Sequence, residues 1–282
     1  MTFAEFAERY LRYCEIYNAA KTMDGKQRYV RRFVDYFGET ALHKIGRADV
    51  EAFIISRRPD AGVPTINREI ATLKNLFTYA IDCGLIEANP AKGIRLLPEK
   101  RKPLQIPTPE EVHRFIVWCA NYDALLYDLA TLAVNTGLRR GDILKIRGED
   151  VDFDRRVLSV SVSKTGEVLY VPLNEAALRI LRSRKCSGFI FKNGSTHLQS
   201  FKRRLKRARK ATGLRFRFHD LRHYFAHAVL DAGANIRTVQ VLLGHASLKT
   251  TERYLNVTEH QRRRAVESLS WAYSYPLFGS NN

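Results

Sequence analysis

The segment that decides the fold of this chain runs from residue 219 to residue 254. It opens with His219-Asp220-Leu221-Arg222-His223, continues to Leu242-Leu243-Gly244-His245 and ends with Thr251-Glu252-Arg253-Tyr254. The apolar residues between these polar groups recur at helical spacing, and Gly233 interrupts the pattern. The pattern predicts consecutive helices with histidine, arginine and tyrosine side chains among them.

Upstream of this segment the period changes from helical to alternating. Residues 157–163 alternate, Lys164-Thr165-Gly166-Glu167 has the composition of a turn, and residues 168–171 resume a β-type sequence. This predicts a hairpin with Lys164 at or near its tip. Helices are predicted to begin near Thr108 and Leu125, so the expected fold class is mainly α with a small antiparallel β-sheet.

Proline-rich sequence divides the chain. Residues 1–95 have helical periodicity throughout and predict four or five helices, the first with a Thr2–Glu5 capping box. Residues 96–106 contain prolines and charges without apolar periodicity, and we interpret them as a linker. Residues 107–282 form the second predicted domain, with a C-terminal tail from about residue 259.

The charge balance points to a polyanionic partner. The 282 residues include 47 Lys and Arg against 29 Asp and Glu, a formal net charge of +18, and most of the excess follows residue 106. No apolar run is long enough to cross a membrane and no signal peptide is recognisable, so we expect a cytoplasmic protein without membrane contact. The four cysteines are far apart, which favours reduced packing residues.

A dense basic run lies between residues 198 and 217, where nine Lys and Arg occur without an acid. Such a run is often only the solvated face of a helix, but it also suits phosphate contacts, which supply affinity without sequence specificity. The candidate DNA-binding residues are Lys202, Arg203, Arg204, Lys206 and Arg207.

The polar groups suit attack on a phosphodiester. The forked guanidinium groups of Arg139 and Arg222 match the oxygens that gather charge in the transition state. His219 and His245 suit the same oxygens or the proton of the nucleophile. Tyr254 suits the nucleophile, because a phenol with a pKa of about 10 can be activated by a cationic pocket.

The set of motifs resembles the tyrosine recombinases, the family of phage-type integrases and Xer-type recombinases. The Thr-Gly-x-Arg motif at Arg139, the hairpin lysine Lys164, His219 with Arg222, His245 in Leu-Gly-His and Tyr254 nine residues later follow the family's order. Lys164 would protonate the departing sugar oxygen, and Asp142 stands where the family has an acidic residue. The hairpin differs, since no basic residue lies between Lys164 and Pro172.

The resemblance implies the Xer-like, two-domain type: a helical, SAM-like core-binding domain and an integrase-type catalytic domain that clamp duplex DNA. Tyr254 would form a 3′-phosphotyrosyl link, and the freed 5′-hydroxyl would attack a partner duplex. The implied assembly is a tetramer on two duplexes in the nucleoid. Neither a metal nor another cofactor is required; the target sequence and any accessory proteins are not specified.

Alternatives remain open at the level of the sequence. A type IB topoisomerase uses similar chemistry, and a non-catalytic DNA-binding regulator could retain the motifs. His219, His223 and His227 share one helical face and superficially resemble a zinc motif, but the basic surroundings favour packing or supporting roles for His223 and His227. The hydrophobic tail, residues 266–282, either packs on its own domain or docks on a neighbouring subunit.

Overall fold

The computed structural model describes residues 1–18, 20–99, 104–161, 167–184, 187–191, 194–245, 247–254 and 267. The chain divides into two compact units, Met1–Lys102 and Pro103–Asn282. Lys164 and almost all of the tail from residue 259 lie outside the described residues. In the described part, no helix is both long and apolar enough to span a bilayer.

The first unit is helical in its described residues. Its elements are α1 (Phe3–Tyr17), α2 (Ala20–Phe37), a 3₁₀ turn (Leu42–Lys44), α3 (Arg47–Arg57) and α4 (Val63–Asp82). The expected capping box opens α1: the Glu5 amide donates to Thr2 Oγ1 at 3.3 Å, and the Thr2 amide donates to the Glu5 carboxylate at 2.7 Å. Two of the four orphan amides of the helix start are thereby satisfied.

Aromatic side chains build the core of the first unit. Phe3 and Phe37 lie 5.3 Å apart between ring centroids, and Phe33 meets Phe53 edge-on at 5.4 Å. On α4, Glu69 is fully buried and forms ion pairs with Arg32 and Arg57. Burial of a carboxylate requires such partners, because its desolvation is costly.

The chain leaving α4 folds back along that helix. Asn67 donates from its side-chain amide to the Leu97 carbonyl at 2.9 Å and accepts from the Leu97 amide at 2.8 Å. Lys74 donates to the Ile94 carbonyl at 2.7 Å. These bonds fix residues 94–97, so part of the proline-rich stretch is held against the first unit.

The second unit combines helices with a small sheet. The helices are α5 (Pro109–Tyr122), α6 (Ala124–Thr136), α7 (Arg140–Ile143), α8 (Glu175–Ser183), α9 (Gly194–Thr212), α10 (Asp220–Asp231), α11 (Ile236–Leu242) and α12 (Leu248–Thr251), with 3₁₀ turns at Gly148–Asp150 and Glu252–Tyr254. Thr108 and Glu111 form a capping box on α5, and Pro109 opens its first turn.

The predicted hairpin belongs to a three-stranded antiparallel sheet. Its strands are β1 (Val151–Asp152), β2 (Val157–Ser161) and β3 (Val168–Pro172), in the order β1-β2-β3. Ser161 pairs with Val168 at the last pair of the described register, and Lys164 lies between them in the sequence, outside the described residues. The expected fold class, mainly α with a small antiparallel sheet, is confirmed.

Candidate active site

Arg222 is the buried centre of the site. It lies in the first turn of α10 and is 2% exposed. Its Nη1 donates to the Gly137 carbonyl at 2.6 Å, and its Nη2 donates to the Leu243 carbonyl at 2.7 Å. Burial, and secondarily the charge of Arg139, lower the pKa of Arg222 to about 10. The side chain is still cationic at neutral pH and is held in one orientation.

His245 contacts the same guanidinium. Its Nε2 lies 3.0 Å from Arg222 Nη2, and its Nδ1 lies 2.9 Å from the hydroxyl of the buried Thr251. Arginine has only donors, so His245 Nε2 accepts and the ring is neutral with its hydrogen on Nδ1. That hydrogen is donated to Thr251. The Leu-Gly-His segment is thus tied to both α10 and α12.

Tyr254 is buried beside these groups. It is 4% exposed and packs with Phe225, Val239 and Leu243. Its hydroxyl lies 2.7 Å from Nδ1 of His223, and the two rings are 5.6 Å apart between centroids. The charge of Tyr254 acts on the pKa of Arg222, which places the two side chains in electrostatic reach.

Gly137 shapes the approach to Arg139. It ends α6 with a φ of 65°, in the left-handed region that favours glycine. A Cβ at this position would lie 2.4 Å from the Phe225 ring and 2.9 Å from Leu243. Glycine therefore permits the close packing of α6 on α10 and presents its carbonyl to Arg222.

Arg139 follows as the residue that caps α7. It forms an ion pair with Asp142 at 3.8 Å, and 45% of its side chain is exposed. Its charge lowers the pKa values of both Arg222 and His219. Arg139 therefore shares the electrostatic environment of Arg222 while keeping access to solvent, and Asp142 is its acidic neighbour.

His219 precedes α10 and faces the same cluster. Its ring meets that of His223 edge-on, with the centroids 4.8 Å apart. Partial desolvation of the ring is the main reason that its pKa is lowered from 6.5, although the residue is exposed to solvent, and the charge of Arg222 acts in the same direction. His219 is therefore neutral at pH 7.

The basic run on α9 has two kinds of residue. Arg204 and Arg207 form ion pairs with the buried Asp123 at 2.7 and 3.2 Å, and Arg207 also lies over the Trp118 ring. These two arginines anchor α9 to the junction of α5 and α6. The other predicted DNA-binding residues, Lys202, Arg203 and Lys206, are exposed.

The structure brings together five of the six predicted catalytic residues: Arg139, His219, Arg222, His245 and Tyr254. His223 and Thr251, which the sequence did not predict as site residues, contact Tyr254 and His245 respectively. The i, i+4 spacing of His219 and His223 on one helical face could have indicated that His223 lies near the site. No sequence pattern indicated the contact made by Thr251. Among the described residues, no group of three His, Cys, Asp or Glu could hold a metal ion.

Two family models match this chain. The model of the phage integrase family matches residues 107–261, and that of the phage integrase N-terminal SAM-like domain matches residues 7–84. A tyrosine recombinase of Thermosipho africanus is 30% identical over 267 residues, which are 89% of this chain and 94% of the relative. Tyrosine recombinase XerD of Mycobacterium tuberculosis is 29% identical over 92% of each chain.

Solved structures share the fold. The Tn1549 transposon integrase in complex with a circular intermediate DNA superposes with a TM-score of 0.78 at 22% identity, covering 95% of this chain and 99% of that one. A lambda integrase tetramer bound to a Holliday junction gives a TM-score of 0.76 at 22% identity, covering 90% of this chain and 77% of that one.

Fold and site together define a tyrosine-type site-specific DNA recombinase. The chain belongs to the phage integrase family. The names of its relatives favour recombination over a topoisomerase or a non-catalytic regulator.

Proposed function

We propose that Tyr254 attacks a phosphodiester of duplex DNA and forms a 3′-phosphotyrosyl link. The P–O5′ bond breaks, and the released 5′-hydroxyl then attacks the phosphotyrosyl group on a partner duplex and releases Tyr254. The observation that carries this proposal is that the buried Arg222 contacts His245 and lies within electrostatic reach of the buried Tyr254. Energy is conserved because one phosphate ester replaces another.

Arg222 and Arg139 supply the positive charge for the phosphate. Arg222 is held in place by the carbonyls of Gly137 and Leu243, which carry no full negative charge. Its cationic charge is therefore not cancelled by a bonded carboxylate. A preorganised cation of this kind stabilises charge that develops on the non-bridging oxygens. Arg139, which is more exposed, would contact the phosphate from the solvent side.

The histidines have separate assignments. His245 orients the Arg222 guanidinium through its Nε2 and is itself held by Thr251. His219, neutral at pH 7, can donate a hydrogen bond to a phosphate oxygen or accept the phenol proton. Lys164, by resemblance, donates a proton to the leaving 5′ oxygen, and the pairing of β2 with β3 supports its place on a hairpin end.

DNA contact would involve both units. On α9 the exposed Lys202, Arg203 and Lys206 suit the phosphate backbone, whereas Arg204 and Arg207 are engaged with Asp123. The SAM-like unit, residues 1–95, would bind the target core. We propose a tetramer on two duplexes, in keeping with the lambda integrase complex on a Holliday junction. The place of action would be the cytoplasm, at the nucleoid.

The test is covalent trapping. Genomic DNA is incubated with the protein, the adducts are isolated under denaturing conditions, and the attached DNA is sequenced. We expect one recurring sequence, with the protein attached through Tyr254. Tyr254→Phe should lose the adduct completely while retaining DNA binding, because only the nucleophilic hydroxyl is removed. Tyr127→Phe, which changes a partly buried tyrosine of the same unit, is the control. Denaturant-resistant adducts with Tyr254→Phe would refute the assignment.

A further inference from the structure

The contact between His223 and Tyr254 is not used by the proposed chemistry. His223 is 3% exposed and its Nδ1 lies 2.7 Å from the Tyr254 hydroxyl. It directly follows Arg222 and lies one helical turn after His219. One turn of α10 thus presents the arginine proposed to bind phosphate. Next to it is a histidine within hydrogen-bonding distance of the hydroxyl of the nucleophile.

This arrangement shields the nucleophile. In-line attack requires the phenol oxygen at roughly 3–3.5 Å from phosphorus with a clear approach. Tyr254 is only 4% exposed, its ring packs against Phe225 and Leu243, and His223 takes a hydrogen-bonding position on its oxygen. A phosphodiester and its flanking sugars are too bulky to enter such a site, so the tyrosine must leave it before attack.

We propose that His223 is a positioning residue that holds the Tyr254 hydroxyl in a buried resting site. This inference rests on the proposed function, since it takes Tyr254 as the nucleophile. The hydrogen bond between His223 and Tyr254 breaks when the tyrosine moves out to the phosphate, and it forms again after strand transfer. No proton needs to be exchanged between the two side chains.

Two substitutions of His223 test whether the position of its hydrogen-bonding atom matters or only the polarity of its side chain. In His223→Asn, an amide atom occupies the place of Nδ1, two bonds from Cβ, and can keep the bond to Tyr254. In His223→Gln, the amide reaches instead towards the place of Nε2 and loses that bond. Both variants are polar and of similar size. The release of one neutral hydrogen bond should increase the open population about 2- to 10-fold.

Nitration by tetranitromethane measures that population in the protein alone, because it modifies the ring carbons beside the hydroxyl. Rates at Tyr254 are followed by peptide mass spectrometry and normalised to the exposed Tyr170. We expect a rise of about 2- to 10-fold in His223→Gln and the wild-type rate in His223→Asn.

His227→Asn, on the same helix and paired with Asp231, is the control. An unchanged rate in His223→Gln, an equal rise in both His223 variants, or a rise shared by Tyr127 overturns the proposal.

Cleavage gives a second readout. The substrate is a nicked duplex that carries the sequence recovered by covalent trapping. We expect His223→Gln to cleave it at least as fast as the wild type. A fall of about 100-fold or more in both His223 variants would make His223 the proton acceptor of Tyr254 and would overturn the holding role. Failure of Tyr254 as nucleophile would appear separately, as adducts that persist in Tyr254→Phe.

Discussion

In the first unit, the buried carboxylate of Glu69 accepts hydrogen bonds from Arg32 at 2.8 Å and from Arg57 at 3.1 Å. In the second unit, the buried Arg222 donates instead to two carbonyls and an imidazole. Both arrangements satisfy buried polar groups, but only the first pairs opposite full charges in direct contact. The first cluster is complete in itself, whereas the second keeps a cationic centre.

The bonding partner of a buried arginine distinguishes a structural role from a functional one. Arg32 and Arg57 stabilise the fold because they compensate a carboxylate that would otherwise be buried alone. Arg222 is held by dipoles, next to the like charge of Arg139, and its pKa is lowered to about 10. An arginine kept under this electrostatic cost is suited to an incoming anion. The predictions below test that distinction.

The largest effect is expected at Arg222. Arg222→Ala should slow DNA cleavage by about 10²- to 10³-fold or more, because a preorganised donor to the transition state is lost. Arg222→Lys should recover little, since an ammonium cannot reproduce the fork. Arg237→Ala, an exposed arginine that bonds Gln240, is the control. Single-turnover cleavage on the trapped sequence measures the rates; near-normal cleavage by Arg222→Ala would contradict the assignment.

Removal of the Glu69 side chain should lower the free energy of unfolding and leave the cleavage chemistry unaffected. Glu69→Ala leaves Arg57 without its buried partner, and we expect a loss of about 3 kcal/mol in the free energy of unfolding. Glu51→Ala breaks the exposed pair with Arg47 and should cost less than about 1 kcal/mol. Urea unfolding compares the two. A larger effect of Glu51→Ala would show that burial does not govern these pairs.

Thr251 supports the second cluster through His245. Thr251→Val keeps the shape but removes the acceptor of the His245 Nδ1 hydrogen, so the imidazole and Arg222 should lose orientation. We expect cleavage to fall about 10-fold, equivalent to about 1.4 kcal/mol, the scale of one buried hydrogen bond. Thr250→Val, at an exposed neighbour, is the control. Equal rates in the two variants would remove Thr251 from the site.

The smallest effect is a pH dependence of stability at His219. The folded chain disfavours the charged ring, so its pKa is below the ordinary value of 6.5. As the pH falls below 6.5, the unfolded chain binds this proton first, so stability falls with the pH, and the effect is small because solvent screens the exposed ring. His219→Gln should reduce this slope in urea unfolding at pH 5.5 and 7. An unchanged slope would refute the shift.

The sequence predicted much of the local structure, because local structure depends on near neighbours. The capping box at Thr2, the helix start near Thr108 and the hairpin around residues 157–171 follow from spacing and residue type. The site residues followed from motif order. The ion pairs of Arg204 and Arg207 on α9 could not be predicted, since their partner, Asp123, lies about eighty residues away in the sequence.

The side chains that could act on a phosphate follow from the sequence, because charge, fork geometry and nucleophilicity belong to residue types. Their burial, protonation and contacts depend on the tertiary structure. It buried Arg222 among carbonyls, fixed the His245 tautomer through Arg222, and placed Tyr254 against His223. These outcomes depend on contacts between α6, α10, α11 and α12, and desolvation and hydrogen-bond partners exist only once those elements have packed.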